Sequence, residues 1–165
     1  MDLLHPDAAR RAREFLGDEP LATLGSGLDG IVYSTGRPSA IKVFTRKDLY
    51  HKELCVYQRL KAHDVTSICG HAVPTLISHS RKLLVIEMST VRPPFILDFA
   101  KAQLDIVTDY TEDAWNIWRQ QCAEKFGDNW PMAWTIYNKL VEQFGIYYLD
   151  LKPGNITFAE SDHSL

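Results

Sequence analysis

The sequence predicts an α+β protein: an antiparallel five-stranded sheet with one helix over roughly residues 20–90, then a reduced, mostly helical part. Three observations predict it. Short β-branched and aromatic runs precede residue 90, separated by glycine or polar turns, with one long helical period among them. Two patterns with helix start and stop signals follow residue 110. With 165 residues and 45% hydrophobic content, the chain can bury a core for one or two compact lobes. The expected division is 1–90 and 91–165.

Residues 6–16 read as a short amphipathic helix, with Pro6 near its start and Gly17 past its end. Next comes strand, glycine loop (Gly25-Ser-Gly27-Leu-Asp-Gly30), strand (31–35), the turn Gly36-Arg-Pro38, and strand (40–44). Residues 46–63 read as a helix with Leu49, Val56, Tyr57 and Leu60 at helical spacing. Glu53 falls inside that apolar stripe, where a carboxylate is costly unless a cation meets it. Lys42, on the preceding strand, is the expected partner. Residues 73–78 and 82–88 read as two strands joined by a polar turn. The run 95–104, after Pro93-Pro94, is helix-compatible, and Asp98 reads as a structural helix residue. Residues 105–112 form a loop. Thr111 is placed to cap a helix to Phe126 with Ala114, Trp115, Trp118, Cys122 and Phe126 on one side. Gly127-Asp-Asn129 breaks it, Pro131 begins a helix to Phe144, and Gly145 ends that one. Its apolar residues cover over half its circumference, so burial on most sides is expected, with the aromatic stripe in the core.

The most informative run lies last: Tyr148-Leu-Asp150-Leu-Lys152-Pro-Gly-Asn155-Ile-Thr-Phe158. A carboxylate, an amine and an amide in a Pro-Gly loop, followed by a strand-like stretch, resemble the catalytic loop of protein kinases. The upstream glycine pattern agrees. A G-x-G-x-x-G followed by a helix fits a dinucleotide site, whereas here a strand follows Gly30. The chain is therefore similar to the protein kinase-like superfamily over about residues 20–160, in a small form.

That resemblance implies a set of roles. Asp150, Lys152 and Asn155 are the catalytic set, Asp150 meeting the acceptor hydroxyl. Gly25, Gly27, Gly30, Val32, Ala40, Lys42, Glu53, Ile86, Glu87 and Met88 form the nucleotide set. Lys42 contacts phosphates, Ile86 lies behind the adenine, and Glu87-Met88 begin the linker between lobes. Cofactors are ATP with Mg2+ or Mn2+, the metal held by Asn155 and by Asp162 as a substitute carboxylate. The implied activity is γ-phosphate transfer to a hydroxyl, of serine/threonine kinase type. The alternatives are a nucleotide-binding scaffold with little catalysis and a fragment completed by another chain.

Departures from the family are also legible. Tyr148 and Leu149 stand where the family has His and Arg, so control through a phosphorylated activation segment is not expected. No D-F-G follows Asn155; Asp98-Phe99-Ala100 mimics it but precedes the loop. Glu160 and Asp162 are the carboxylates after Asn155.

Composition excludes several classes. A formal charge of −3 and the lack of a basic run argue against nucleic acid. No apolar run approaches the roughly 20 residues of a bilayer span. The first residues lack a secretion signal's basic start and apolar core, so a cytoplasmic compartment is expected. Cys55, Cys69 and Cys122 read as free thiols. His63, Cys69 and His71 lack a recognised zinc-ligand spacing. Expected partners are ATP, a hydroxyl-bearing acceptor (protein or small molecule) and a second copy of the chain.

Overall fold

The computed structural model describes residues 5–96 and 99–158. In chain order its elements are α1 (Ala8–Leu16), β1 (Ala22–Ser26), β2 (Gly30–Ser34), β3 (Ser39–Phe44) and α2 (Lys47–Ala62). There follow β4 (Ser67–Ile68), β5 (His71–Ala72), β6 (Leu76–Ser80), β7 (Val85–Ser89) and β8 (Ala102–Leu104). The last are α3 (Glu112–Phe126), a 3-10 turn at Gly127–Asn129, α4 (Trp130–Phe144) and β9 (Ile146–Tyr148). The chain divides into two compact units. One comprises the residues up to His63 and Pro74–Thr90; the other comprises Asp64–Val73 and the residues from Val91 onward.

The first unit is the expected antiparallel five-stranded sheet, in the order β1-β2-β3-β7-β6. Alternation along the strands separates two faces. Ile31, Tyr33, Ile41, Val43 and Val85 cluster with Ala8 and Ala12 of α1, whose small side chains at i and i+4 admit close approach. Arg11 fastens this helix, its guanidinium donating to the carbonyls of Phe44 and Leu83. Gly17 ends it with φ +81, a conformation that favours glycine. Lys42 and Phe44 face the other way, toward α2, which buries Tyr50, Glu53, Leu54, Val56, Tyr57 and Leu60. Tyr50 replaces Leu49 in the anticipated stripe. Strands β6 and β7 start about three residues later than the sequence suggests; Leu84, at φ +53, closes the turn directly before β7.

The second unit begins with a hairpin that the sequence did not announce. Cys69 and Gly70, both at positive φ, turn β4 into β5. The expected helix over 95–104 is not formed by the described residues there. Phe95 bridges Ala72, Ile96 bridges Ile156, and β8 pairs with β9. A short apolar run has no decisive period, and partners supplied by distant residues draw Phe95, Ile96 and Ala102–Leu104 into bridges and a strand. Asp98 lies outside the described residues. The Ile156–Phe158 stretch accordingly pairs backward, with Thr157 N–H donating to the carbonyl of Phe95.

The helices follow their signals closely. Thr111 Oγ1 accepts from the amide of Ala114, capping α3. Gly145, at φ +63, closes α4 in the left-handed conformation. One expectation fails: α4 is not buried on most sides. Ala133, Ile136, Tyr137 and Leu140 form its single buried stripe, and Met132 is 42% exposed. Helical spacing reports which residues share a face, while the number of covered faces depends on what packs against them.

Candidate functional site

In the first unit the candidate residues converge through strand register. Val32 pairs with Lys42, Lys42 with Ile86, and Ala40 with Met88. Side chains directly opposite across antiparallel strands share a face. Five of the nucleotide-set residues, widely spaced in sequence, therefore occupy two adjacent rows on the face that α2 covers. Lys42 Nζ lies 2.8 Å from Glu53 Oε2, as the helix period anticipated. The ammonium also stands 5.0 Å from the centre of the Phe44 ring.

The three glycines divide into two kinds. A Cβ on Gly30 would come 2.3 Å from the carbonyl oxygen of Val43, so β3 itself demands glycine there. A Cβ on Gly25 or Gly27 would meet nothing within 4 Å, which leaves open space above that backbone. Their loop is tied at several points. Buried His5 donates from Nε2 to the Gly27 carbonyl at 2.8 Å, and the Gly27 amide donates to the Gly30 carbonyl. Thr45 Oγ1 lies within hydrogen-bond reach of the Leu28 and Asp29 carbonyls. His5 was invisible as a loop partner in the sequence.

Glu87 and Met88 contribute differently from each other. The Glu87 carboxylate accepts from the hydroxyls of Ser39 and Ser78 and pairs with Arg37 at 3.2 Å, so its side chain belongs to the sheet. Met88 Sδ accepts from the Tyr57 hydroxyl.

In the second unit Asp150, Lys152 and Asn155 form one polar loop. Asn155 is 5% exposed, and its Nδ2 donates to the Asp150 carbonyl at 2.9 Å and to Asp150 Oδ2 at 3.1 Å. Lys152 Nζ approaches the same Oδ2 at 3.2 Å. Lys101, not anticipated from the sequence, reaches Asp150 Oδ1 at 3.9 Å, because the β8–β9 pairing brings its segment alongside. The loop is also held from α3. Trp118 Nε1 donates to the Leu149 carbonyl and Cys122 Sγ to that of Leu151. Burial pushes the Cys122 thiol upward, with nearby Lys125 opposing, so it serves as a neutral donor. Both residues lay on the predicted α3 stripe, which gave no hint that they grip backbone.

The Asn155 geometry suits a hard cation. With Nδ2 committed to Asp150, Oδ1 remains as an oxygen donor of the kind Mg2+ prefers. Asp162 and Glu160 lie outside the described residues. Among the described residues no group of three His, Cys, Asp or Glu side chains is placed to hold a metal ion.

A separate cavity of about 470 Å³ lies in the same unit, lined by Tyr110, Glu112, Trp115, Arg119, Trp134 and Tyr137. The aromatic stripe expected in the core is thus in part its wall. Trp134 and Tyr137 stack with centroids 5.2 Å apart. Tyr137 is pushed up to about 12 by burial, with Tyr147 and Cys122 adding to the effect. Among the described residues no helix is long and apolar enough to cross a membrane.

Neither a protein-family model nor a curated protein matches this chain. Among solved structures it is similar to the aminoglycoside phosphotransferase APH(2'')-Ib with ADP bound, at 14% identity and TM-score 0.45, over 86% of this chain and 40% of that one. A complex of APH(2'')-IIa with gentamicin gives 14% identity and TM-score 0.43, covering 78% and 52%. A streptomycin–ATP complex of APH(2'')-IIa gives 14% and 0.42, covering 56% and 31%. The chain thus spans about a third to a half of these structures.

Proposed function

We propose that this chain is a kinase-like phosphotransferase that binds ATP with Mg2+ or Mn2+ and passes the γ-phosphate to a hydroxyl. The buried Lys42–Glu53 pair, in the row between Val32 and Ile86, carries the reading. A buried ion pair is a poor stabilising device, since two apolar side chains of similar volume serve as well. An amine held in place by a carboxylate is what binding a phosphate requires.

In this reading Lys42 meets the phosphates, and the open backbone at Gly25 and Gly27 lets them approach amide groups. Val32, Ala40, Ile86 and Met88 offer apolar surface to the base, while Glu87 contributes through its backbone alone. Asp150 receives or orients the acceptor hydroxyl, and Lys152 offsets charge on the transferred group. Asn155 Oδ1 is the metal ligand that the described residues supply. A bound divalent ion would neutralise phosphate oxygens. The acceptor is a hydroxyl on a protein or a small molecule.

A second reading, a nucleotide-binding regulatory protein with little catalysis, is favoured by one observation. Both Asp150 oxygens are already engaged, Oδ1 by Lys101 and Oδ2 by Lys152 and Asn155.

Thermal denaturation with ATP, with and without Mg2+ or Mn2+, tests binding. Ligand that binds only the folded state raises the midpoint. The expected result is a metal-dependent rise with ATP. No rise under either condition sinks both readings, and a rise without any turnover supports the second.

A further inference from the structure

We propose that His5 is a positioning residue of the nucleotide site: it holds the Gly27 carbonyl and thereby orients the glycine-loop backbone, so that an amide of the loop is offered to phosphate. This role deepens the reading of the glycine loop given above and rests on it.

The loop needs a hold from outside. Strand β1, which leads into it, is an edge strand, and all five of its residues are exposed. Leu28, at the tip, is 83% exposed. Gly25 and Gly27 have open space where a Cβ would stand. Glycine changes backbone conformation more readily than other residues, and a stretch with few buried contacts opens at little cost.

His5 supplies the hold from a fixed base. It is buried, and its carbonyl accepts from the Ala8 amide at the start of α1. That helix is fastened to the sheet by Ala8 and Ala12 in the core and by Arg11 on the carbonyls of Phe44 and Leu83. From this base Nε2 lies 2.8 Å from the Gly27 carbonyl oxygen. A carbonyl oxygen only accepts, so the proton of the bond is on Nε2. Nδ1 is buried without a hydrogen-bond partner. An unsatisfied buried nitrogen costs stability, so packing alone is a poor reason for histidine here. The bond to Gly27 is the better one.

The consequence for phosphate follows from the peptide bond. It is planar and trans, so the Gly27 carbonyl and the Leu28 amide point in opposite directions. With the oxygen held toward His5, the Leu28 N–H is aimed away from it. Among the described residues that N–H donates no hydrogen bond to backbone, which leaves it for an anion. Without the hold the peptide is free to turn over and present oxygen to phosphate in place of N–H. Thr45, just after β3, meets the next two carbonyls, those of Leu28 and Asp29. His5 and Thr45 thus fix three successive carbonyls of the loop.

The test compares His5→Ala, His5→Asn and His5→Gln in the full chain. A glutamine amide nitrogen reaches about as far as Nε2, and an asparagine one only about as far as Nδ1, so glutamine alone keeps the bond. Amide hydrogen exchange without ligand reads the loop, and calorimetry reads affinity for ATP with Mg2+ and for adenosine. In His5→Ala and His5→Asn, exchange is expected to rise in residues 22–30 and to stay unchanged in residues 8–16 and 39–44. ATP is expected to weaken about threefold to tenfold, the scale of one hydrogen bond, with adenosine unaffected. His5→Gln is expected to behave as the unmodified protein does. Unchanged exchange of residues 22–30 in His5→Ala overturns the proposal, as does equal loss of ATP and adenosine or failure of glutamine to rescue. Exchange that rises equally in all three segments also overturns it, since His5 would then serve the fold alone. A loop that loosens without the His5 donor, in a protein that ignores ATP, would sink the phosphotransferase reading and leave His5 as the residue that orients the loop.

Discussion

Lys42 and Glu53 meet at 2.8 Å with side chains only 8% and 1% exposed, one on a central strand and the other on the helix that covers it. Each is intelligible only with the other. Removing one partner takes from a buried charge its counter-ion at 2.8 Å, a change that typically costs about 3–5 kcal/mol. Lys42→Met should therefore lower the urea midpoint markedly, and Lys42→Met with Glu53→Leu should recover much of the loss. Nucleotide binding separates stability from function. In the folded double variant ATP should weaken far more than adenosine, because only ATP presents charge to an ammonium. Equal loss of both ligands would detach Lys42 from the phosphates.

The glycine loop offers a sharper separation. Gly30→Ala forces a Cβ against the Val43 carbonyl at 2.3 Å, backbone that cannot swing aside. Overpacking of this kind costs about 1–3 kcal/mol, and denaturation should show it with or without ligand. Gly25→Ala and Gly27→Ala add a methyl into open space and should leave stability within about 0.5 kcal/mol. Their effect should fall on ATP affinity. A stability loss at Gly27 equal to that at Gly30 would remove the distinction.

Asp150→Asn nearly preserves size while removing the charge that Lys101 and Lys152 meet. If Asp150 acts on the acceptor hydroxyl, turnover should fall about a hundredfold or more, the scale of general acid–base contributions. ATP affinity should change little. Phosphotransfer measured against a mock preparation decides it, and unchanged turnover would leave Asp150 as a loop-forming residue.

These residues differ in how far the sequence revealed them. Glu53 was legible because a charge inside an apolar helical stripe is a local anomaly, and it pointed to Lys42. Thr111, Pro131 and Gly145 were legible because caps act over one turn. The 95–104 segment was misread for the opposite reason. Phe95, Ile96 and Ala102–Leu104 take their pairings from Ala72, Ile156 and β9, none of which is close in sequence. Lys101, His5, Trp118 and Cys122 enter the candidate sites through such distant pairings or through backbone carbonyls. Side-chain identity does not encode either. The second face of α4 failed similarly, since periodicity cannot say what covers a stripe.

Tyr137 gives the chain a defined alkaline response. Its hydroxyl is held up to about 12 by burial, with Tyr147 and Cys122 adding to the effect, against 10.0 for a free phenol. In the unfolded chain it ionises around pH 10, while in the folded chain it keeps its proton to about pH 12. Between those values unfolding releases a proton, so raising the pH favours unfolding. The stabilising contribution is complete below pH 10 and is lost as pH climbs toward 12. Tyr50, raised by burial with Arg81 opposing, acts in the same direction. Urea midpoints from pH 9 to 12 should fall in the unmodified protein and fall less steeply in Tyr137→Phe. Equal slopes in the two proteins would show that Tyr137 ionises in the folded state as freely as in the unfolded one.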